Sequence, residues 1–227
     1  MGILQDIMTA LTPRLCPVCK SRLWSTERHI CSTCLTALPR LNVVRTDDNE
    51  MVRLLWPHVP AVNALAVFKY KGSSSLHNIV VKIKSKGGQD IALEMGRLSA
   101  REMLKTGLHS KVDVLVPVPV SRKNKRARGF NQALMIARGI SEITSLPVCD
   151  CLSCLSTLKQ QKTLNREERM ENARHNFVSA LPDEYRGKRI LLIDDIFTTG
   201  ATLTGCAMAV LRDDPTAEIS VMTLAKA

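Results

Sequence analysis

Apolar residues recur along this chain in two rhythms. Short, nearly continuous apolar runs occupy residues 61–70, 112–118, 190–193 and 218–224. Such runs predict strands buried on both faces, as in a parallel sheet. Between them the spacing lengthens. Ile91, Met95 and Leu98 follow i, i+4, i+7 and predict a helix over residues 89–106, while Ala133, Ile136, Ala137 and Ile140 mark one face of another. Strands alternating with helices predict an α/β fold with a parallel sheet flanked by helices. Ile3, Leu4, Ile7, Met8 and Leu11 predict a short amphipathic helix over residues 1–12. Its polar face is not basic, which favours docking on a neighbouring domain over lying on a membrane. Residues 45–50 are polar and read as a linker, and Gly72 with the three serines after it as a turn.

The 190–193 run leads directly into chemistry. Ile190-Leu191-Leu192-Ile193 is followed by Asp194 and Asp195, and then by Thr198-Thr199-Gly200-Ala201-Thr202. A buried strand places the two acids at its carboxyl end, where ligands of open α/β sheets bind. The Thr/Gly stretch then turns into a helix whose first N–H groups suit a phosphate. One alternative is purely structural: a buried strand and a helix with Thr or Asp as its N-cap. The full string resembles the signature of type I phosphoribosyltransferases. That resemblance implies binding of phosphoribosyl pyrophosphate (PRPP), with the acids on the ribose 2′ and 3′ hydroxyls and residues Thr198, Thr199, Gly200, Ala201 and Thr202 on the 5′-phosphate. Ancestry of this kind does not establish turnover.

The cysteines add a second chemistry. Cys16-Pro17-Val18-Cys19 and Cys31-Ser32-Thr33-Cys34 form two CxxC pairs separated by eleven residues. Each pair offers two sulfurs from one turn, so the set matches a closed, structural four-thiolate zinc site. Disulfides and a redox CxxC are the alternatives; neither a secretion signal nor an adjoining βαβ unit accompanies them. A metal would replace the core that so short a module cannot build. Leu23 and Trp24 are expected to cover the site. Cys149, Cys151, Cys154 and Cys206 lack paired spacing and read as buried thiols, with a second metal site as the alternative.

A formal charge of +11 favours anionic partners, either a phosphate-rich small ligand or nucleic acid. It is concentrated at Arg122, Lys123, Lys125, Arg126 and Arg128, a basic loop after the strand ending at Pro117-Val118-Pro119. That loop can meet a pyrophosphate, or it can face water or nucleic acid. Residues 158–177 are rich in charge; Arg166 and Arg169, at i, i+3, share a face if the segment is helical. A charged surface helix and a mobile loop closing over PRPP are the two readings. Eight aromatic residues, with Trp24, Phe68 and Tyr70 the best placed, leave few platforms for base stacking. No apolar run approaches membrane-spanning length and no signal peptide is evident, so a cytoplasmic location without membrane insertion is expected.

Taken in order, the paired CxxC motifs, Phe68-Lys69-Tyr70-Lys71-Gly72, Pro117-Val118-Pro119, Arg126-Ala127-Arg128-Gly129-Phe130-Asn131-Gln132, the set Gln161, Leu164, Arg166, Arg169, Asn172, and the acid-pair string resemble the ComF family over nearly the whole chain. The resemblance implies a zinc-binding module over residues 1–42 and a phosphoribosyltransferase-like domain over residues 43–227. It implies PRPP bound with Mg²⁺, by Asp194, Asp195, residues 198–202 and Arg122, Lys123, Arg126 and Arg128, with Arg166 and Arg169 on the closing loop. It also implies a role in natural competence, handling imported single-stranded DNA through Arg122, Lys123, Lys125 and Arg126, with a competence helicase or another DNA-processing protein as partner. The other reading is an active transferase that moves ribose 5-phosphate from PRPP to a nitrogen nucleophile. Two segments depart from the family pattern: Leu158-Lys159-Gln160 lacks its Thr/Pro character, and serines follow Gly72 where arginine is frequent.

Overall fold

The computed structural model describes residues 14–72, 75–155 and 176–227. The helix expected over residues 1–12, and Gln161, Leu164, Arg166, Arg169 and Asn172, lie outside the described residues. Four strands, β1 (Ala61–Lys69), β2 (Val114–Pro117), β5 (Arg189–Phe197) and β6 (Glu218–Lys226), form an all-parallel sheet in the order β1-β6-β5-β2. Backbone bonds between Leu115 and the 147–149 segment extend it beyond β2. β3 (Leu152–Cys154) and β4 (Phe177–Ser179) make a separate antiparallel pair.

The expected apolar runs are strands because both faces of the sheet are covered. Leu191 and Ile193 join one core with Leu65, Leu115, Met222 and Leu224. Helices α3 (Ser75–Ile83), α4 (Gln89–Lys105) and α6 (Gln132–Thr144) supply the rest of that core. Ile190 and Leu192 face the other way, into a core with α2 (Glu50–Leu55), α7 (Ala201–Asp213) and the β3–β4 pair. The helical face read from Ala133, Ile136, Ala137 and Ile140 is buried as expected.

The acid pair lies near the carboxyl end of the central strand as expected: β5 continues through Asp194 and Asp195 to Phe197, because β6 runs alongside it as far as Lys226. Two expectations about the elements are corrected. The basic loop is a seven-residue helix, α5 (Arg122–Arg128). Ser121 caps it by accepting from Asn124 N–H, and Gly129, at φ 87°, ends it in the left-handed conformation that glycine tolerates best. The polar stretch 45–50 is no free linker. The buried Thr46 hydroxyl donates to Asn63, and Asn49, which caps α2, donates to the Ala64 carbonyl.

The cysteine-containing segment, with its short helix α1 (Ser32–Thr36), is joined to the sheet rather than tethered to it. Lys69 N–H donates to Pro39 and Leu41 N–H to Val67, so residues 39–41 cover the free edge of β1. Leu23, Ile30 and Leu38 belong to the same core as α3 and α4.

The closest helix contact is between α4 and α6, where Gly96 faces Gly139. A Cβ on Gly139 would lie 2.1 Å from the Leu93 carbonyl oxygen, and one on Gly96 2.2 Å from that of Ile136. Both obstacles are backbone, so neither can rotate away. Gly139→Ala is therefore expected to cost about 2–3 kcal/mol, a fall in Tm of roughly 4–12 °C. Gly72→Ala, with nothing within 4 Å of the new methyl, serves as the control in the same thermal-denaturation series.

Candidate functional site

All four strands run the same way, so their carboxyl ends share one edge of the sheet. That edge collects the segment after β1, helix α5 after β2, and the acid pair with its turn at the end of β5. The pleat of β5 sends adjacent side chains to opposite faces. Asp195 Oδ2 lies 2.8 Å from Lys84 Nζ, just beyond α3. Asp194 points to the other side, towards Cys206 of α7, whose thiol is raised well above its ordinary value by its own burial first and then by the nearby Asp194. Asp194 Oδ1 also accepts from the Asp195 amide at 2.8 Å.

The acids differ in electrostatics as well as direction. Burial, and then the neighbouring charge of Asp195, push the Asp194 carboxyl up to about 8. Burial thus favours the protonated form of Asp194, which can donate as well as accept, whereas Asp195 is held in an ion pair. Lys84 is the site residue that sequence reasoning missed. It stands 111 positions from its partner, and only the packing of α3 against the sheet brings the two together.

After Phe197 the chain turns through Thr198 and Thr199 to Gly200, which is the N-cap of α7 at φ 79°. A side chain at Gly200 would be strained in that conformation and would press on Phe197 and Leu55 at 3.1–3.2 Å. Among the described residues no N-cap side chain closes the helix; Thr199 Oγ1 accepts only a long 3.4 Å bond from Ala201 N–H. The first-turn amides of α7 are therefore available to an anion. Ala201 and Thr202 already belong to the helix, and Thr198 and Thr202 are exposed.

Arg122, Lys123, Lys125 and Arg126 of α5 are exposed and Arg128 is half-buried. Arg128 donates to Gln132 at 3.0 Å. Asn131, cap of α6, donates to Val118 and so ties this basic arm to the end of β2. After β1, Tyr70 hydroxyl and His77 Nδ1 approach to 2.8 Å across the turn at Gly72. Phe68 is fully buried, with the Arg40 guanidinium 5.6 Å from its ring centre, so it is not a stacking platform.

The four module cysteines converge. Their sulfurs all lie within 4.8 Å of one another, with Cys19 and Cys31 at 3.6 Å. Tetrahedral zinc with bonds of about 2.3 Å requires sulfur separations near ~3.8 Å, so the cluster fits a metal. Hydrogen bonds from Ser21 hold the Cys19 thiol down at about 6, which favours the thiolate; burial pushes Cys34 the opposite way. Leu23 is buried against the cluster as expected, but Trp24 is 77% exposed and does not cover it. Cys149 and Cys206 are buried, Cys151 and Cys154 half-buried. Among the described residues they form no second metal cluster. No described helix is long and apolar enough to cross a membrane.

Comparison with known proteins follows the same lines. No protein-family model matches the chain. It is 26% identical to competence protein ComFC of Bacillus subtilis over 211 residues, 93% of this chain and 83% of that protein. It is 28% identical to competence protein F of Haemophilus influenzae over 132 residues, spanning 57% of each. DNA utilization protein YhgH of Escherichia coli K12 is 26% identical over 214 residues, 88% of this chain and 92% of that one. Among solved structures, the glutamine PRPP amidotransferase of B. subtilis, complexed with ADP and GMP, superposes with a TM-score of 0.39 at 17% identity. The alignment covers 59% of this chain and only 26% of the enzyme. The matches to ComFC and YhgH span most of this chain, so its likeness is to the ComF and YhgH group of competence and DNA-utilization proteins.

Proposed function

We propose that the protein binds PRPP at the carboxyl edge of its sheet and acts in natural transformation, in the handling of imported single-stranded DNA. The observation that carries the ligand assignment is the succession of acid pair, Gly200 turn and uncapped α7 N-terminus on one strand. Residues 198–202 then hold the 5′-phosphate through backbone amides and threonine hydroxyls. Asp194 and Asp195 hold the ribose hydroxyls, with the protonated Asp194 able to donate. Arg122, Lys123, Arg126 and Arg128 lie towards the pyrophosphate, and Arg166 and Arg169 are assigned to the closing loop. Mg²⁺ would accompany the ligand, keeping much of its water and neutralising the pyrophosphate. The DNA role draws support from relatives named for competence and DNA utilization, and from the charge of +11. Cys16, Cys19, Cys31 and Cys34 hold structural zinc, for which their sulfur spacing is suited.

A second reading, transfer of ribose 5-phosphate to a nitrogen nucleophile, is favoured by α5. Its exposed cations stand on the edge where a leaving pyrophosphate would develop charge. Pyrophosphate release on mixing PRPP and Mg²⁺ with nucleobases, amines or DNA separates it from binding without turnover.

Three outcomes are expected. Calorimetry with PRPP and Mg²⁺ shows binding to the wild type, and Asp194→Asn combined with Asp195→Asn weakens it by at least ~30-fold, about 2 kcal/mol; unchanged affinity would remove the ligand assignment. Asp194→Asn alone stabilises the protein in a pH-dependent way. A carboxyl whose folded pKa is raised binds its proton more tightly in the folded state, so wild-type stability declines as pH rises from about 4 to about 8. The variant lacks that decline. Its Tm advantage is near zero at pH 4 and reaches at least ~2–4 °C, about 1 kcal/mol, at pH 8. Finally, elemental analysis finds close to one zinc per chain. Cys34→Ser, or chelation, lowers stability by more than about 3 kcal/mol, roughly 6–12 °C in Tm.

A further inference from the structure

A cleft of about 450 Å³ separates the cysteine module from the turn that joins α3 to α4. Arg14, Lys20 and Arg28 line it from the module, Lys82 from the last turn of α3 and Lys86 from the turn that follows; Asp90 is the one acid among its lining residues. All five cations are exposed. None forms an ion pair among the described residues: Arg14 and Lys20 reach only the carbonyls of Arg28 and Pro17, at 3.4 and 3.2 Å. Among the described residues several cations elsewhere are matched, as in Arg97 with Glu94 and Glu142, or Arg189 with Asp113, although the exposed cations of α5 are not. The floor of the cleft is apolar, with the buried Leu23 on one side and the half-buried Ile91 on the other.

A structural role as counterions to the cysteine cluster does not account for this set. Zinc with four thiolates carries a charge of −2 and Asp90 adds −1, so two of the five cations remain unbalanced. Mutual repulsion among like charges around one cleft is relieved by an anion between them. The cations stand on the solvent-facing rims of both walls rather than around an enclosed pocket. That arrangement grips a chain passing along the cleft better than a small ligand, which needs most of its surface buried.

We infer that this cleft binds the phosphodiester backbone of a single-stranded nucleic acid. Trp24 follows Leu23 in the chain and its exposed indole offers a stacking surface to a base. The turn also links the cleft to the acid pair: Lys84, between Lys82 and Lys86, is the residue paired with Asp195. The turn closes tightly, since a Cβ on Gly88 would lie 2.0 Å from the Lys82 carbonyl oxygen. A strand held in the cleft therefore lies one turn of chain from the proposed sugar-phosphate site. The inference rests on the reading that the protein handles single-stranded DNA, but not on PRPP binding.

The test is fluorescence anisotropy of a labelled dT 20-mer with the full, zinc-loaded chain, over a range of salt concentrations. In the variant combining Lys20→Ser, Lys82→Ser and Lys86→Ser, affinity falls at least ~10-fold, and the slope of log K against log salt flattens by about 2, as expected for three lost phosphate contacts on a single strand. Zinc content, Tm and PRPP calorimetry stay at wild-type values, which separates this loss from misfolding and from the acid-pair site. Arg122→Ser with Lys123→Ser and Lys125→Ser changes affinity less than ~3-fold. The inference is overturned if the cleft variant retains wild-type affinity, or if the loss falls on the α5 variant instead. Competition by dTMP at the strand's own affinity overturns the strand as occupant. No binding of the 20-mer by the wild type at any salt overturns the DNA-handling reading itself.

Discussion

The parallel pairing of β5 between β2 and β6 is the constraint on which the rest of the molecule depends. It buries Ile190, Leu191, Leu192 and Ile193 on alternating faces, so helices must cover both sides of the sheet. It also carries the ladder past Ile193, so that two carboxylates become part of a strand. Parallel strands bring every carboxyl end to one edge. The acid pair, the Gly200 turn and the basic helix after β2 meet there because the sheet has only one direction.

That placement creates an electrostatic conflict with a local resolution. Two adjacent acids in a poorly solvated strand cannot both ionise cheaply. Their alternation across the pleat separates them, Lys84 pairs with Asp195, and burial favours the protonated form of Asp194.

The cysteine module is a part of this arrangement rather than an appendage. Residues 39–41 cover the exposed edge of β1, and Leu23, Ile30 and Leu38 extend the core that α3 and α4 share. The α3–α4 turn therefore contacts the module on one side through its cleft and the acid pair on the other through Lys84. A segment of a few residues lies between the four-cysteine module and the carboxyl edge of the sheet.

Much of this was determined by local pattern. Continuous apolar runs specify two-sided strands, and 3.6-residue spacing specifies α4 and α6. Paired CxxC spacing specifies a four-sulfur cluster, and the acid-pair string specifies the strand and turn that present it. These features depend on neighbours in sequence, so they can be read without the fold. What only the tertiary structure decided depends on distant partners. The acids lie within β5 because β6 reaches Lys226; residues 45–50 are held because Asn63 and Ala64 are there to bond; Trp24 is exposed because no described element packs over it. Above all, Lys84 carries no motif. Its role arises from an ion pair across 111 residues, made when helix packing brings two distant points of the chain to within 2.8 Å.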